Sequence, residues 1–485
     1  MRGRRGFGIL LALSMALVSF GCEGDTGPQG PEGPEGPEGP QGPPGSAVSE
    51  FAFQGDFGSA CLHCHANVTN QYVTTGHRFA YDDLDAESQT NLYCLQCHTT
   101  GFNCTVNFGD TEIDPANCVE PDDGYSGYIG DDSEEGLARK AALEGVQCES
   151  CHGPMGPDFN AHIPELSFST WDNSLCADCH NAQITEWQTS GHALVAGGDV
   201  EEFQGEHYVG NSSCDYCHTS EGFIRANDPA YADYDFGDEF SHIGCPTCHD
   251  PHVGEDGGGN EAQLRTVGTV ELAYTAPWEP GDEAAPVIEG YGPGQTCVQF
   301  HHARRDSDND QGQIDNGYGH FGPHSSPQGD MFVGAGSYQI PGYDYGENAD
   351  GYVEATHQSF TDGCVTCHMA FSEDEGGHVV HNFMPTLEAC QGCHAGLDEA
   401  GLEALQQKYR DKLDQLAGLI NGGYASWEDL MLVLDDADVG NQTWTVQERE
   451  AAYAVVFVYN SGDFGAHNPN SANALLDNAI DYLTP

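Results

Sequence analysis

The sequence predicts a mainly α-helical chain with extensive loops, little β-structure and a helical C-terminal cap. Three observations lead there. Hydrophobic residues are 38 % of the chain and glycine supplies 63 of its 485 residues, too little apolar material for an ordinary core of that length. Between residues 51 and 397, clusters of Gly, Asp, Asn and Pro recur and no long periodicity dominates, so short helices joined by long loops are expected. From residue 398 helical spacing takes over. Leu402, Leu405, Tyr409, Leu413, Leu416 and Ile420 share a face that ends at Gly422-Gly423. Thr445 with Glu448 reads as a capping box opening a helix to Tyr459, and Ser471 is placed to cap a last helix through Leu483.

Within the loop-rich region Cys-x-x-Cys-His occurs eight times. The copies are Cys61/Cys64/His65, Cys94/Cys97/His98, Cys148/Cys151/His152 and Cys176/Cys179/His180, then Cys214/Cys217/His218, Cys245/Cys248/His249, Cys364/Cys367/His368 and Cys390/Cys393/His394. Each is the attachment pattern of a c-type haem: two thiols form thioethers to the vinyl groups, and the adjacent histidine is placed to ligate iron. A single copy could be a redox dithiol or half a zinc site, but eight ending in histidine leave no such reading. The spacing also argues against a disulfide scaffold, the usual explanation for 20 cysteines in an exported chain. Eight haems would replace much of the missing apolar core and make the motif sulfurs part of the interior, so haem attachment and folding are expected to be coupled.

The pattern predicts a multihaem c-type cytochrome. Hexacoordinate haems need second axial ligands, and 15 of the 23 histidines lie outside the proximal positions, against only seven methionines. Bis-histidine ligation at most sites follows.

Several segments resemble the cytochrome c554 and hydroxylamine oxidoreductase-like superfamily. They are Gly145-Val-Gln-Cys148-Glu-Ser-Cys151-His152-Gly-Pro, the histidines that follow motifs in Gln71-Tyr-Val-Thr-Thr-Gly-His77 and Trp187-Gln-Thr-Ser-Gly-His192, and Cys245-Pro-Thr-Cys248-His249-Asp-Pro-His252. Gly465-Ala-His467-Asn-Pro, before Leu475-Leu476, is similar to the C-terminal histidine segment of that superfamily and of cytochrome c nitrite reductases. The resemblance spans roughly residues 60 to 480 and specifies a class rather than an activity. It implies His77, His162, His192, His252, His324, His378 and His467 as distal ligands, with His207, His242, His320, His357 and His381 competing.

One motif is altered. Cys297-Val-Gln-Phe300-His301-His302 has phenylalanine where the second cysteine belongs, and Phe321-Gly-Pro-His324 resembles a stretch that accompanies such a motif. Either Cys297 and His301 hold a ninth haem through one thioether, or the site is abandoned and Phe300 packs in its place. Cys104 and Cys118 enclose an Asp/Asn-rich insertion, and a disulfide is expected in an oxidising compartment. Asp306-Ser-Asp308-Asn-Asp310-Gln-Gly312-Gln-Ile-Asp315 is similar to a Ca2+ loop but misplaces its glycine and lacks the final glutamate, so a solvated acidic turn competes with that reading.

The N-terminus reads as an export signal over residues 1–21: Arg2, Arg4 and Arg5 precede an apolar stretch from Phe7 to Phe20. Gly21-Cys22 resembles a bacterial lipoprotein cleavage site, which makes Cys22 the expected lipid anchor. Residues 22–50 form a tether in which Gly24 to Gly45 repeats Gly-X-Y seven times, as either a monomeric polyproline spacer or a collagen-like trimer stem. Residues 51–397 are the haem domain and 398–485 a helical segment packed on it.

With 14 Lys+Arg against 77 Asp+Glu, the formal charge of −63 excludes nucleic acid as a partner and favours other redox proteins or extracellular electron acceptors. The expected function is electron transfer along closely spaced haems, with the membrane touched only through a lipid anchor, at the periplasm or cell surface. An oxidoreductase acting on a small nitrogen or sulfur compound would need one haem with an open position. A trimeric surface structural protein, or assembly into a filament, are the remaining readings.

Overall fold

Side-chain caps start most of the helices. Asn91 accepts from the Tyr93 amide at the head of Leu92–His98, Ser133 from Gly136 at Glu134–Ala142, and Thr219 from Gly222 at Ser220–Asn227. Thr386 and Asp398 do the same for Leu387–Gln391 and Glu399–Ala417. Each cap satisfies an amide that has no partner inside the helix. The computed structural model describes residues 53–59, 61–119, 124–154, 173–194, 216–229, 231–232, 234, 241–254, 262–265, 268–272, 286–305, 307–318, 321–324, 326–372, 378–435 and 441–484. The export signal, Cys22, the tether, His162, His207, Cys214 and His320 lie outside them. The described residues fall in one unit, Val48–Pro485.

Helices and loops dominate, as the composition predicts. The strands among the described residues form two short antiparallel pairs, Val270–Glu271 with Val287–Ile288 and Phe371–Ser372 with His378–Val379. The apolar core is uneven. Its largest cluster joins Ile314, Phe321, Met331, Tyr338 and Val353 to Leu413, Leu416, Tyr453, Phe457 and Leu476, so the C-terminal helices share one core with residues 314–353. Nearer the N-terminus a small cluster gathers Phe53, Leu92, Leu95, Val106, Tyr125 and Leu143.

The C-terminal helices run Glu399–Ala417, Trp427–Asp435, Val446–Ser461 and Pro469–Leu483. The expected capping box is present: Glu448 N–H donates to Thr445 Oγ1 at 3.2 Å and Thr445 N–H to Glu448 Oε2 at 2.7 Å. Gly462 ends that helix at φ 68°, a left-handed conformation that glycine adopts without strain. The last helix starts before the expected Ser471 cap. Asn468 accepts from the Ser471 amide at 2.9 Å, and Pro469 occupies the first helical position, where its missing N–H is harmless.

The Ca2+-loop reading and its acidic-turn competitor are both corrected here, because the segment is a helix, Ser307–Asn316. Alternate residues diverge around a helix, so these acids do not converge on one cation. Asp310 is buried and accepts from the Tyr453 hydroxyl at 2.7 Å. Cys104 and Cys118 form the expected disulfide. No helix among the described residues is long and apolar enough to cross a membrane.

Candidate haem-binding site

The motifs repeat one local geometry. The histidine N–H donates to the first cysteine's carbonyl, from His65 to Cys61 at 2.8 Å, His180 to Cys176 at 2.9 Å and His249 to Cys245 at 2.8 Å. The same bond joins His368 to Cys364 at 3.0 Å, His394 to Cys390 at 2.8 Å and, in the altered motif, His301 to Cys297 at 2.9 Å. His98 and His152 close equivalent turns at the ends of Leu92–His98 and Cys148–His152. Residues four apart on a helical turn lie on one side, so the first cysteine and the histidine face a common space.

Histidines from elsewhere in the chain enter that space. Ring centroids lie 6.0 Å apart for His77–His180, His152–His252 and His192–His301, and 6.1 Å apart for His357–His394. They lie 6.2 Å apart for His368–His467 and 6.4 Å apart for His218–His324 and His249–His381. Each pair joins one motif histidine to one that is outside any motif. Two imidazoles on opposite sides of one metal, with bonds of about 2.0–2.1 Å, put their ring centres about 6.3 Å apart. The spacing therefore fits an iron between the rings. Ordinary edge or face contacts between rings would not select one motif member every time.

Hydrogen bonds orient the rings. His249 Nδ1 lies 2.7 Å from the Ala262 carbonyl, His368 Nδ1 2.9 Å from Phe383, His357 Nδ1 2.6 Å from Ala466 and His381 Nδ1 2.7 Å from Val379. His98 Nδ1 meets the Ala80 carbonyl. A carbonyl partner makes Nδ1 the protonated nitrogen and leaves the Nε2 lone pair for a metal. Burial first, and the facing imidazole second, push His77, His152 and His301 down to about 4. These rings are neutral at pH 7, the form that ligates.

Thiols of different motifs also meet: Cys61 bonds Cys148, Cys97 bonds Cys179, and Cys176 bonds Cys245. The motifs are thus packed side by side. Cys94, Cys151, Cys248 and Cys367 are half-buried within that packing.

Enclosure of every motif sulfur, expected from the sequence, is corrected at three positions. Cys64 and Cys393 are exposed, and Cys217 is only half-buried. Cys64 and Cys393 belong to the first and last motifs, where residues 62–68 and 391–396 are exposed throughout, so no described segment covers them. The turn itself is intact at both: Cys64 N–H donates to the Cys61 carbonyl at 3.1 Å and Cys393 N–H to Cys390 at 3.2 Å. Cys217 lacks the same support on the page, because Cys214 lies outside the described residues and only Cys217 and His218 of that motif's three are placed. The polypeptide thus buries sulfurs where motifs abut and leaves them accessible where the run of motifs begins and ends.

Two family models match the chain, cytochrome c554 and c-prime over residues 110–153 and 175–250, and cytochrome c552 over residues 347–484. The fold is similar to that of the undecaheme cytochrome from the S-layer of Carboxydothermus ferrireducens, with a TM-score of 0.52 and 16 % identity, covering 90 % of this chain and 70 % of that one. The chain is a multihaem c-type cytochrome. The outer cell wall cytochrome OcwA aligns with it at a TM-score of 0.45 and 15 % identity, over 89 % of this cytochrome and all of that chain. No curated protein matches it.

Of the histidines singled out in the sequence of this cytochrome, His77, His192, His252, His324 and His467 face a motif histidine. His378 does not. Its Nε2 is taken by Glu186 Oε1 at 2.7 Å, and His381 faces His249 instead. His357, a competing candidate, faces His394. No local pattern ranks His381 above His378, because the choice is made by the distant Glu186. Gln328, which meets His301 Nδ1 at 3.3 Å, carries no sequence signal at all.

Proposed function

We propose that this cytochrome is an exported electron carrier whose eight Cys-x-x-Cys-His motifs each hold a c-type haem, mostly with two histidine ligands. The observation that carries the reading is the set of facing histidines at 6.0–6.4 Å, each joining a motif to a distant segment. The haems supply one-electron chemistry at potentials set by ligands, hydrogen bonds and burial. The protein's own contribution is placement. Short capped turns present a cysteine and a histidine together, carbonyls fix the ring tautomer, and side-by-side motifs keep neighbouring sites close enough for electrons to pass between them. Cys64, Cys217 and Cys393 keep their attachment role in this reading, at sites where the polypeptide leaves the sulfur accessible.

Two ligands per iron leave no position for a substrate, which favours a carrier over an oxidoreductase at the paired sites. The S-layer location of the structural neighbour, together with the acidic surface, supports action at the cell surface with other redox proteins or an extracellular acceptor. We further propose that residues 1–21 direct export, that Cys22 is lipidated, and that the Gly-X-Y stretch spaces the haem region from the membrane.

Intact mass and a pyridine haemochrome assay of the purified chain count the haems, and low-temperature electron paramagnetic resonance reads their spin states. At least eight haems with low-spin signals at the paired sites are expected. A resting high-spin signal with turnover of nitrite or hydroxylamine would move the function to an enzyme. A bare processed chain would end the reading.

A further inference from the structure

The altered motif keeps every feature of the intact ones except its second sulfur. Its turn closes through the same His301-to-Cys297 bond, at 2.9 Å. His301 faces His192 at 6.0 Å, within the range of the other pairs. Its Nδ1 is held by Gln328 Oε1 at 3.3 Å, and Gln328 is itself fixed by donating Nε2 to the Asn460 carbonyl at 3.2 Å. The His301 carbonyl accepts from the Gly329 amide at 2.7 Å, an approach that only glycine allows, because a Cβ there would lie 2.8 Å from that same oxygen. Cys297 bonds Cys364 of the next motif, just as sulfurs of intact motifs bond one another.

Phe300 is accounted for separately. Its ring stacks on Phe223 at 3.8 Å and 14°, against the buried helix Ser220–Asn227. An abandoned site would release His192 and His301 from facing each other. Here both stay aligned, and the phenylalanine is occupied elsewhere. Nearby, Arg304 Nε is buried without a hydrogen-bond partner, as expected of a guanidinium that meets a carboxylate of a bound group.

We propose that Cys297 and His301 hold a further haem through one thioether, with His192 as its second axial ligand and Phe300 standing where the second cysteine would be. This rests on the reading of the intact motifs as haem sites. The step is an addition: the Cys297 S–H adds across one haem vinyl, sulfur bonding the inner carbon and hydrogen the terminal one, with no net oxidation. The second vinyl keeps its double bond. The α band of this haem in pyridine therefore lies between those of doubly attached and unattached haem.

Trypsin cuts after Arg265 and Arg304, releasing a peptide whose single cysteine is Cys297. The expected results are one haem mass on that peptide, nine haem masses on the intact chain, and a Cys297→Ala chain lighter by one haem mass. Phe300→Cys should leave the haem count unchanged and shift the α band fully to the doubly attached position. A bare peptide alongside haem on the intact-motif peptides would overturn the ninth site alone. So would a wild-type chain with eight haems that gains another only as Phe300→Cys. Haem on no peptide would overturn the underlying reading as well.

Discussion

Glu186 Oε1 holds His378 Nε2 at 2.7 Å, while the other oxygen of the same carboxylate accepts the backbone N–H of His381 at 2.6 Å. One side chain on the helix Asn181–Trp187 thus removes one histidine from the ligand pool and positions its neighbour. With Nδ1 on the Val379 carbonyl, His381 turns its free nitrogen toward His249.

Exchanging these two histidines should have opposite effects. His381→Ala is expected to turn one haem from low-spin to high-spin in electron paramagnetic resonance at unchanged haem count. His378→Ala should leave every ligand set intact. A high-spin signal in the second variant and none in the first would reverse the assignment.

The bond from Gln328 to His301 should tune the altered site. A carbonyl partner on Nδ1 makes the imidazole a stronger donor to iron and favours the oxidised state. Gln328→Leu is expected to raise one potential, on the order of tens of millivolts given about 59 mV per tenfold change in relative affinity for one electron. Redox titration followed by spectroscopy measures it. An unchanged or lowered set of potentials would show that Gln328 only packs there.

The sequence discloses the motif half of each site, because thioether chemistry fixes cysteine and histidine within five residues. It discloses the distal half poorly. His180 meets His77 and His368 meets His467 only after long stretches of chain have folded, and no local spacing records that. Nor does the pentapeptide record its surroundings: Cys64 and Cys393 share a motif with Cys151 and Cys248 but not their cover. The acidic stretch from Asp306 misleads for the same reason. Its helix is fixed by tertiary contacts such as Tyr453 to Asp310, which outweigh its turn-like composition. The Thr445–Glu448 box is legible because both partners are local. Asn468 displaces Ser471 as the cap because the proline that follows asparagine suits the first helical position better.

Asp330 gives the molecule a pH dependence with a definite sign. It is fully buried, and burial pushes its carboxyl from 3.8 up to about 8, against the opposing hydrogen bond from Ala303. The native state holds this proton between those values while the unfolded chain does not. The stability it contributes is complete below 3.8 and is lost as pH rises through about 8. Asp330→Asn keeps an oxygen for the Ala303 amide and should flatten the fall of Tm across that interval. Parallel wild-type and variant profiles would remove Asp330 as the cause.

The shared C-terminal core sets the stability of that end. Leu413 and Phe457 are fully buried in it, so Leu413→Ala should cost about 2–5 kcal/mol. Thr445→Ala should cost about 1 kcal/mol by removing the cap. Denaturant titration of the holoprotein checks both. The prediction fails if the cap variant is hurt more than the core variant.

Without haem attachment, the chain should fold at one end only. Around the first six motifs the apolar residues are few: the small cluster at Phe53 to Leu143, and isolated buried side chains such as Ile184, Phe223 and Ile243. That burial does not offset the ordering entropy of so many loop residues, at about 1–2 kcal/mol each for the backbone. Residues 314–353 with the C-terminal helices bury a continuous cluster that needs no macrocycle. Chain made in cells lacking the haem attachment machinery should therefore lose residues 53–300 to brief proteolysis and leave a fragment containing 399–483. Uniform resistance across the haem-free chain would show that the interior does not depend on haem, and uniform digestion would show that the C-terminal helices depend on it too.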